Sequence, residues 1–186
     1  MSILLSFIIV LIVFTIIADV IMYFNRKNYY LLALEKSKLI KKPLLVIGDP
    51  KKGIASKILG PRYGYGDICI DLEPSENNDK VLKEEAISFL KKQSNNSFVI
   101  YVSAVLEYIP DIENAIFELQ RVSGGDLYIM NIPPYAPVSY LYIFQGDRAK
   151  NIIYSAPPNG EKIKYFKNPL NNIIENIFEK DKRQNV

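Results

Sequence analysis

The chain has 186 residues, a net charge of +3, one cysteine and no histidine. One cysteine excludes an intrachain disulfide and a cysteine-built metal centre. The missing histidine removes the commonest general base, the Ser-His and Cys-His nucleophile pairs and the commonest metal ligand. A weak positive charge spread over scattered lysines does not mark a nucleic-acid binder. Any chemistry must therefore rest on carboxylates, lysines, tyrosines or a bound cofactor.

Residues 3–24 are apolar apart from Ser6, Thr15 and Asp19. A stretch of about 22 residues is long enough to cross a hydrocarbon core as a helix. It is too long for a cleaved signal peptide, and no small-residue cleavage site follows it. Arg26, Lys27, Lys36, Lys38, Lys41 and Lys42 all follow the span. The positive-inside rule then predicts a single pass with the carboxyl-terminal domain on the cytoplasmic side. Asp19 reads as a solvated residue near the headgroups. Residues 25–42 read as a basic connector, either held beside the bilayer with its lysines on anionic lipid or a solvated charged linker, with Tyr30–Ile40 a candidate short helix.

Residues 43–160 carry the pattern of an α/β domain. Pro43–Gly48 is a buried-strand run, followed by a Gly-Asp-Pro-Lys-Lys-Gly loop and a turn or two of helix at Ile54–Leu59. Strand, glycine-bounded loop and helix is where a parallel sheet holds a nucleotide-like ligand. Gly-Asp-Pro is also an ordinary turn, and no phosphate-binding Gly-Lys-Ser/Thr follows. Gly60–Asp67 is a second glycine-rich turn. Ile68–Leu72 is a short strand carrying Asp71 at its end, where a carboxylate either accepts from a ribose diol or caps the next turn. Residues 79–93 predict an amphipathic helix burying Val81, Leu82, Ala86, Phe89 and Leu90. No third strand is expected between Asp71 and Phe98.

Residues 98–134 are the most legible stretch. Phe98–Val102 is a strand run. Asp111 stands where an N-cap belongs, Ile112, Ala115, Ile116 and Leu119 recur at helical spacing, and Gly124-Gly125 ends the helix. Leu127–Ile132 is a second buried-strand run. Together they make one βαβ unit with a helical crossover. Beyond it, residues 133–137 predict a rigid loop, 139–144 and 151–155 a hairpin, and 170–178 a helix. Residues 161–186 are a carboxyl-terminal helix and tail.

The run Val105-Leu106-Glu107-Tyr108-Ile109-Pro110-Asp111, then Ala115, Glu118-Leu119, Arg121-Val122, Gly124-Gly125, Leu127 and Ile129, resembles the class I S-adenosylmethionine-dependent methyltransferases. The likeness extends more weakly back to Pro43. More loosely, the two glycine-rich turns resemble methyltransferase-like proteins of large DNA viruses. The resemblance implies an α/β fold with a mostly parallel, reduced Rossmann-like sheet lacking the family's third strand. It implies S-adenosylmethionine as cofactor, without a metal. Gly48, Gly53, Asp71 and Ser103 then fall at the cofactor, and Glu107, Tyr108 and Tyr135 at the acceptor pocket.

The chain also departs from that family. Val46 or Ile47 stands where the family has an acid in the first strand. Asp49-Pro50-Lys51-Lys52 replaces small residues beside the cofactor, and Tyr108 replaces a histidine. A lysine beside a sulfonium is electrostatically unfavourable. The expected function is a membrane-tethered, non-catalytic structural or interaction module, with the bilayer and membrane proteins as partners, in a virion if the viral likeness holds. The alternative is an active methyltransferase on a lipid or membrane-proximal substrate. A nucleotide-sugar enzyme with a metal on Asp71 and Glu73 ranks last.

Overall fold

The structure, a computed structural model, describes residues 3–52, 54–131, 150–155 and 163–168. Gly53, Tyr135, the loop at 133–137, the strand expected at 139–144 and the helix expected at 170–178 lie outside the described residues.

A five-stranded parallel sheet forms from β1 (Leu44–Ile47), β2 (Ile68–Asp71), β3 (Leu82–Lys83), β4 (Val99–Ser103) and β5 (Leu127–Met130), in the order β3-β2-β1-β4-β5. This order is compatible with a Rossmann-like fold. β1 and β4 are buried along their whole length. Strands covered on both faces need unbroken apolar sequence, which is why their runs do not alternate.

A third strand, not expected from the sequence, is present and two residues long. Leu82 and Lys83 pair with Ile70 and Asp71, and both are exposed. The helix expected over 79–93 is confined to α3 (Ala86–Lys91). Glu85 explains the late start: its carboxylate accepts from the Ile87 and Ser88 N–H groups, so it is the N-cap. Residues upstream are left extended, and the Glu84 N–H bonds the Asp71 carbonyl at 3.1 Å.

Alternation along the strands sorts side chains to two faces. On the first, Leu45, Ile47, Ile100, Val102, Leu127 and Ile129 meet Phe89 and Leu90 of α3 and Ile112, Ala115, Leu119 and Val122 of α4 (Ile112–Ser123). α4 is delimited as its sequence predicts. Asp111 accepts from the Asn114 N–H, and Gly124 takes the left-handed conformation that ends the helix. β6 (Asn151–Ser155) pairs antiparallel with β7 (Lys164–Lys167). It adds Ile153 to the same core.

The second face carries Leu44, Val46, Cys69, Val99 and Tyr101, and is covered by α1 (Ile3–Ile40). The expected connector is not a separate segment. One helix of 38 residues, about 57 Å long, runs from the apolar stretch into the fold. Ala18, Met22, Arg26, Tyr30, Ala33 and Ser37 are buried at three- and four-residue spacing. Beside α1, residues 63–67 cross the sheet as an extended strap. Gly66 passes over β1 so closely that a Cβ would collide with the Leu44 carbonyl, and Asp67 accepts from the Leu44 N–H at 2.7 Å.

Candidate functional site at the carboxyl edge of the sheet

The direction of α1 follows from its contacts. Lys36 pairs with Asp126, at the start of β5, at 3.2 Å. The Arg26 carbonyl accepts from the Tyr101 hydroxyl, midway along β4, at 3.0 Å. α1 is therefore antiparallel to the strands, and its apolar part leaves the domain at their carboxyl ends. That part is the one candidate membrane-spanning helix among the described residues. Its Thr15 hydroxyl donates to the Leu11 carbonyl, satisfied within the helix.

The same edge holds Gly48, Asp71 and Ser103, the described residues among those that sequence marked for a cofactor. Gly48 ends β1 with a φ of 113°. A Cβ there would meet the Ser103 carbonyl at 3.0 Å, the Tyr63 hydroxyl at 3.1 Å and Val105 at 3.3 Å, so the chain itself fills the space above β1. The Asp71 carboxylate accepts from the Asp49 N–H at 2.9 Å, the Glu73 N–H at 2.8 Å and Lys52 Nζ at 3.0 Å. Lys52 Nζ also donates to the Glu73 carbonyl at 2.8 Å. Ser103 is buried at the end of β4, its hydroxyl bonded within the Tyr63–Tyr101 pair. Gly48, Asp71 and Ser103 are thus brought to one edge; Asp71 serves the loop after β1, Ser103 the tyrosine pair, and the Gly48 N–H the Ile70 carbonyl at 2.8 Å.

Asp49, which sequence reading left as a turn residue, is the centre of that loop. It is 4% exposed and accepts from the Lys51 N–H at 2.8 Å, the Ser75 N–H at 2.7 Å and Asn78 Nδ2 at 2.8 Å. Burial alone would raise its pKa; the hydrogen bonds from Ser75, Lys51 and Asn78 outweigh that and hold the carboxyl below its ordinary value. Burial, with the Asp49 and Asp71 charges nearby, pushes the Cys69 thiol up to about 12.

The expected acceptor residues are divided. Glu107 and Tyr108 form a 3-10 turn at Leu106–Tyr108, and Glu107 is buried. The Lys150 N–H donates to the Glu107 carbonyl at 2.6 Å, and buried Asn151 donates to the Leu106 and Ile109 carbonyls at 3.1 and 2.6 Å. The turn is pinned by the start of β6. An apolar seam beside it, between the sheet, α3 and α4, is too tight for a water molecule. No cluster of metal-ligating side chains occurs among the described residues.

Sequence reading missed the tyrosine cluster beneath this edge. Tyr30, Tyr63 and Tyr101 pack edge to face, with centroid separations of 5.8 Å for Tyr30–Tyr101 and 5.0 Å for Tyr63–Tyr101. The Tyr30 hydroxyl donates to the Tyr65 carbonyl at 2.8 Å. Burial raises the pKa of all three phenols. The glycine-rich Arg62-Tyr63-Gly64-Tyr65-Gly66 run was the available signal: glycines between tyrosines let the strap lie flat while its rings pack.

These features define a parallel α/β domain with an N-terminal apolar helix built into it. No protein-family model matches the chain, and neither the curated proteins nor the solved structures give a match.

Proposed function

We propose that this is a single-pass membrane-anchored protein whose methyltransferase-like domain is non-catalytic and acts as a structural or interaction module at a membrane. The observation that carries the reading is the Lys52–Asp71 pair. The carboxylate that a ribose would need is held by a lysine and by the backbone of the loop that would cradle the cofactor. The Tyr63 hydroxyl and the Ser103 carbonyl crowd Gly48. A cofactor would have to break the pair and displace the loop. Such a site is built for rigidity rather than for exchange.

One observation favours the alternative, an active methyltransferase on a lipid: the carboxyl edge lies on the side from which the apolar helix departs. Calorimetric titration of the full chain in detergent micelles with S-adenosylmethionine separates the two. The expected result is no binding heat at millimolar ligand. Micromolar binding that Asp71→Asn abolishes would establish the enzyme instead.

A further inference from the structure

The apolar stretch of α1 and the folded domain overlap in sequence. A helix needs about 20 residues to cross the hydrocarbon core. Counted from Ile3, the crossing ends near Met22. Yet Ala18 and Met22 already belong to the packed cluster on the second face of the sheet. A bilayer crossed by α1 therefore has the carboxyl edge of the sheet in its headgroup layer, with no gap below.

That edge carries a projection. The Arg62 N–H bonds the Pro50 carbonyl at 3.2 Å, closing residues 50–62 into a loop that returns to its origin. Within it, α2 (Ile54–Leu59) exposes Ile58 (76%) and Leu59 (61%). Leu72, just past β2, is 60% exposed on the same edge, where the Lys52 bond to the Glu73 carbonyl ties the projection to the end of β2. Lys51 is exposed. Arg62 is half-buried at the base, its Nε shielded from solvent and without an acceptor among the described residues. Apolar side chains at the tip with cations at the base suit an anionic lipid interface, where the tip enters the acyl boundary and the cations meet phosphates.

We propose that residues 50–62, together with Leu72, form a second membrane contact that seats the carboxyl edge on an anionic leaflet beside α1. It rests on the reading of α1 as membrane-spanning, and it gives the loop after β1 a use other than cofactor binding. Lys52 and Asp71 then brace the lipid-facing projection.

The chain has no tryptophan, so single substitutions give unambiguous reporters. The full chain is reconstituted in vesicles of phosphatidylcholine and phosphatidylglycerol with brominated acyl chains. Three variants are compared: Ile58→Trp on the projection, Phe7→Trp in the apolar stretch, and Ser94→Trp on the loop at the amino edge. All three positions are exposed, so none strains the core. The expected result is strong quenching at Phe7→Trp, quenching of about half with blue-shifted emission at Ile58→Trp, and none at Ser94→Trp. If Ile58→Trp behaves like Ser94→Trp while Phe7→Trp is quenched, the second contact is refuted and the span stands. If Phe7→Trp is also unquenched, the span reading falls and the contact with it.

Discussion

The two faces of the sheet are built from different materials. The first is aliphatic, with leucines, isoleucines and valines meeting α3 and α4. The second holds three tyrosines in edge-to-face contact, a cysteine and the buried part of α1. The difference follows from what each face must hold. α4 is amphipathic, so only one rotation buries its apolar stripe. α1 is apolar around much of its circumference, since residues such as Leu31 and Leu32 stay exposed while Ala33 is buried. Apolar contact alone would leave its rotation and axial position weakly determined. Two tyrosine hydroxyls fix them: Tyr101 bonds the Arg26 carbonyl, and Tyr30 bonds the Tyr65 carbonyl of the strap. Buried polar tips that must be satisfied select one register where grease would accept several.

The largest effect expected from this comparison is that of removing α1. A chain of residues 41–186 exposes the part of the second face that α1 covers and should show no cooperative thermal transition by circular dichroism. A sharp melt matching that of the full chain would mean that α1 is an appendage and the comparison is mistaken. Next in size are paired substitutions, one on each face. Leu119→Ala should cost about 2–5 kcal/mol in denaturant unfolding, as cavities in aliphatic cores do. Tyr101→Phe should cost only about 1 kcal/mol, the net worth of one hydrogen bond. The smaller change should nevertheless speed amide exchange in residues 26–37 and leave 112–123 unaltered, because it releases the register of one helix. Equal exchange in both segments would count against the role given to the tyrosines.

A separate effect is alkaline. The Cys69 pKa in the folded chain, about 12, lies above its ordinary value of 9.0. Between these values the unfolded chain has lost the proton that the folded chain keeps, so stability falls as pH rises from about 9 toward 12. Raised Tyr63 and Tyr101 pKa values add to the decline above the ordinary phenol range. The unfolding midpoint should drop across this window, and Cys69→Ala should flatten its first part. An unchanged slope in that variant would show that the thiol is not the group responsible.

The first face was legible in sequence because its signals are local. Asp111, the spaced apolar residues of α4 and Gly124 lie within one stretch and delimit the helix without help from elsewhere. Residues 79–93 misled, because Val81 and Leu82 continue the apolar spacing of α3. Only pairing of Leu82 with Ile70, and capping by Glu85, makes them a strand and a stop. The second face was illegible because its partners are distant in sequence. Tyr30 meets the strap 35 residues on, and Tyr101 meets α1 at Arg26, 75 residues away. Sequence placed Gly48, Asp71 and Ser103 at strand ends, and the fold gathers those ends at one edge. It could not show that Lys52 sits on Asp71, since a lysine within a loop looks the same whether it is solvated or paired.

The continuity of α1 also sets how far the domain can travel. A flexible connector over residues 25–42 would give it a reach of roughly 20–25 Å, enough to sweep a volume of solvent around its anchor. An unbroken helix packed from Ala18 to Ser37 gives it almost none. On a membrane the domain would behave as a bracket rather than a ball on a string. What it meets would be confined to the lipid beneath it and to molecules that arrive at the same surface.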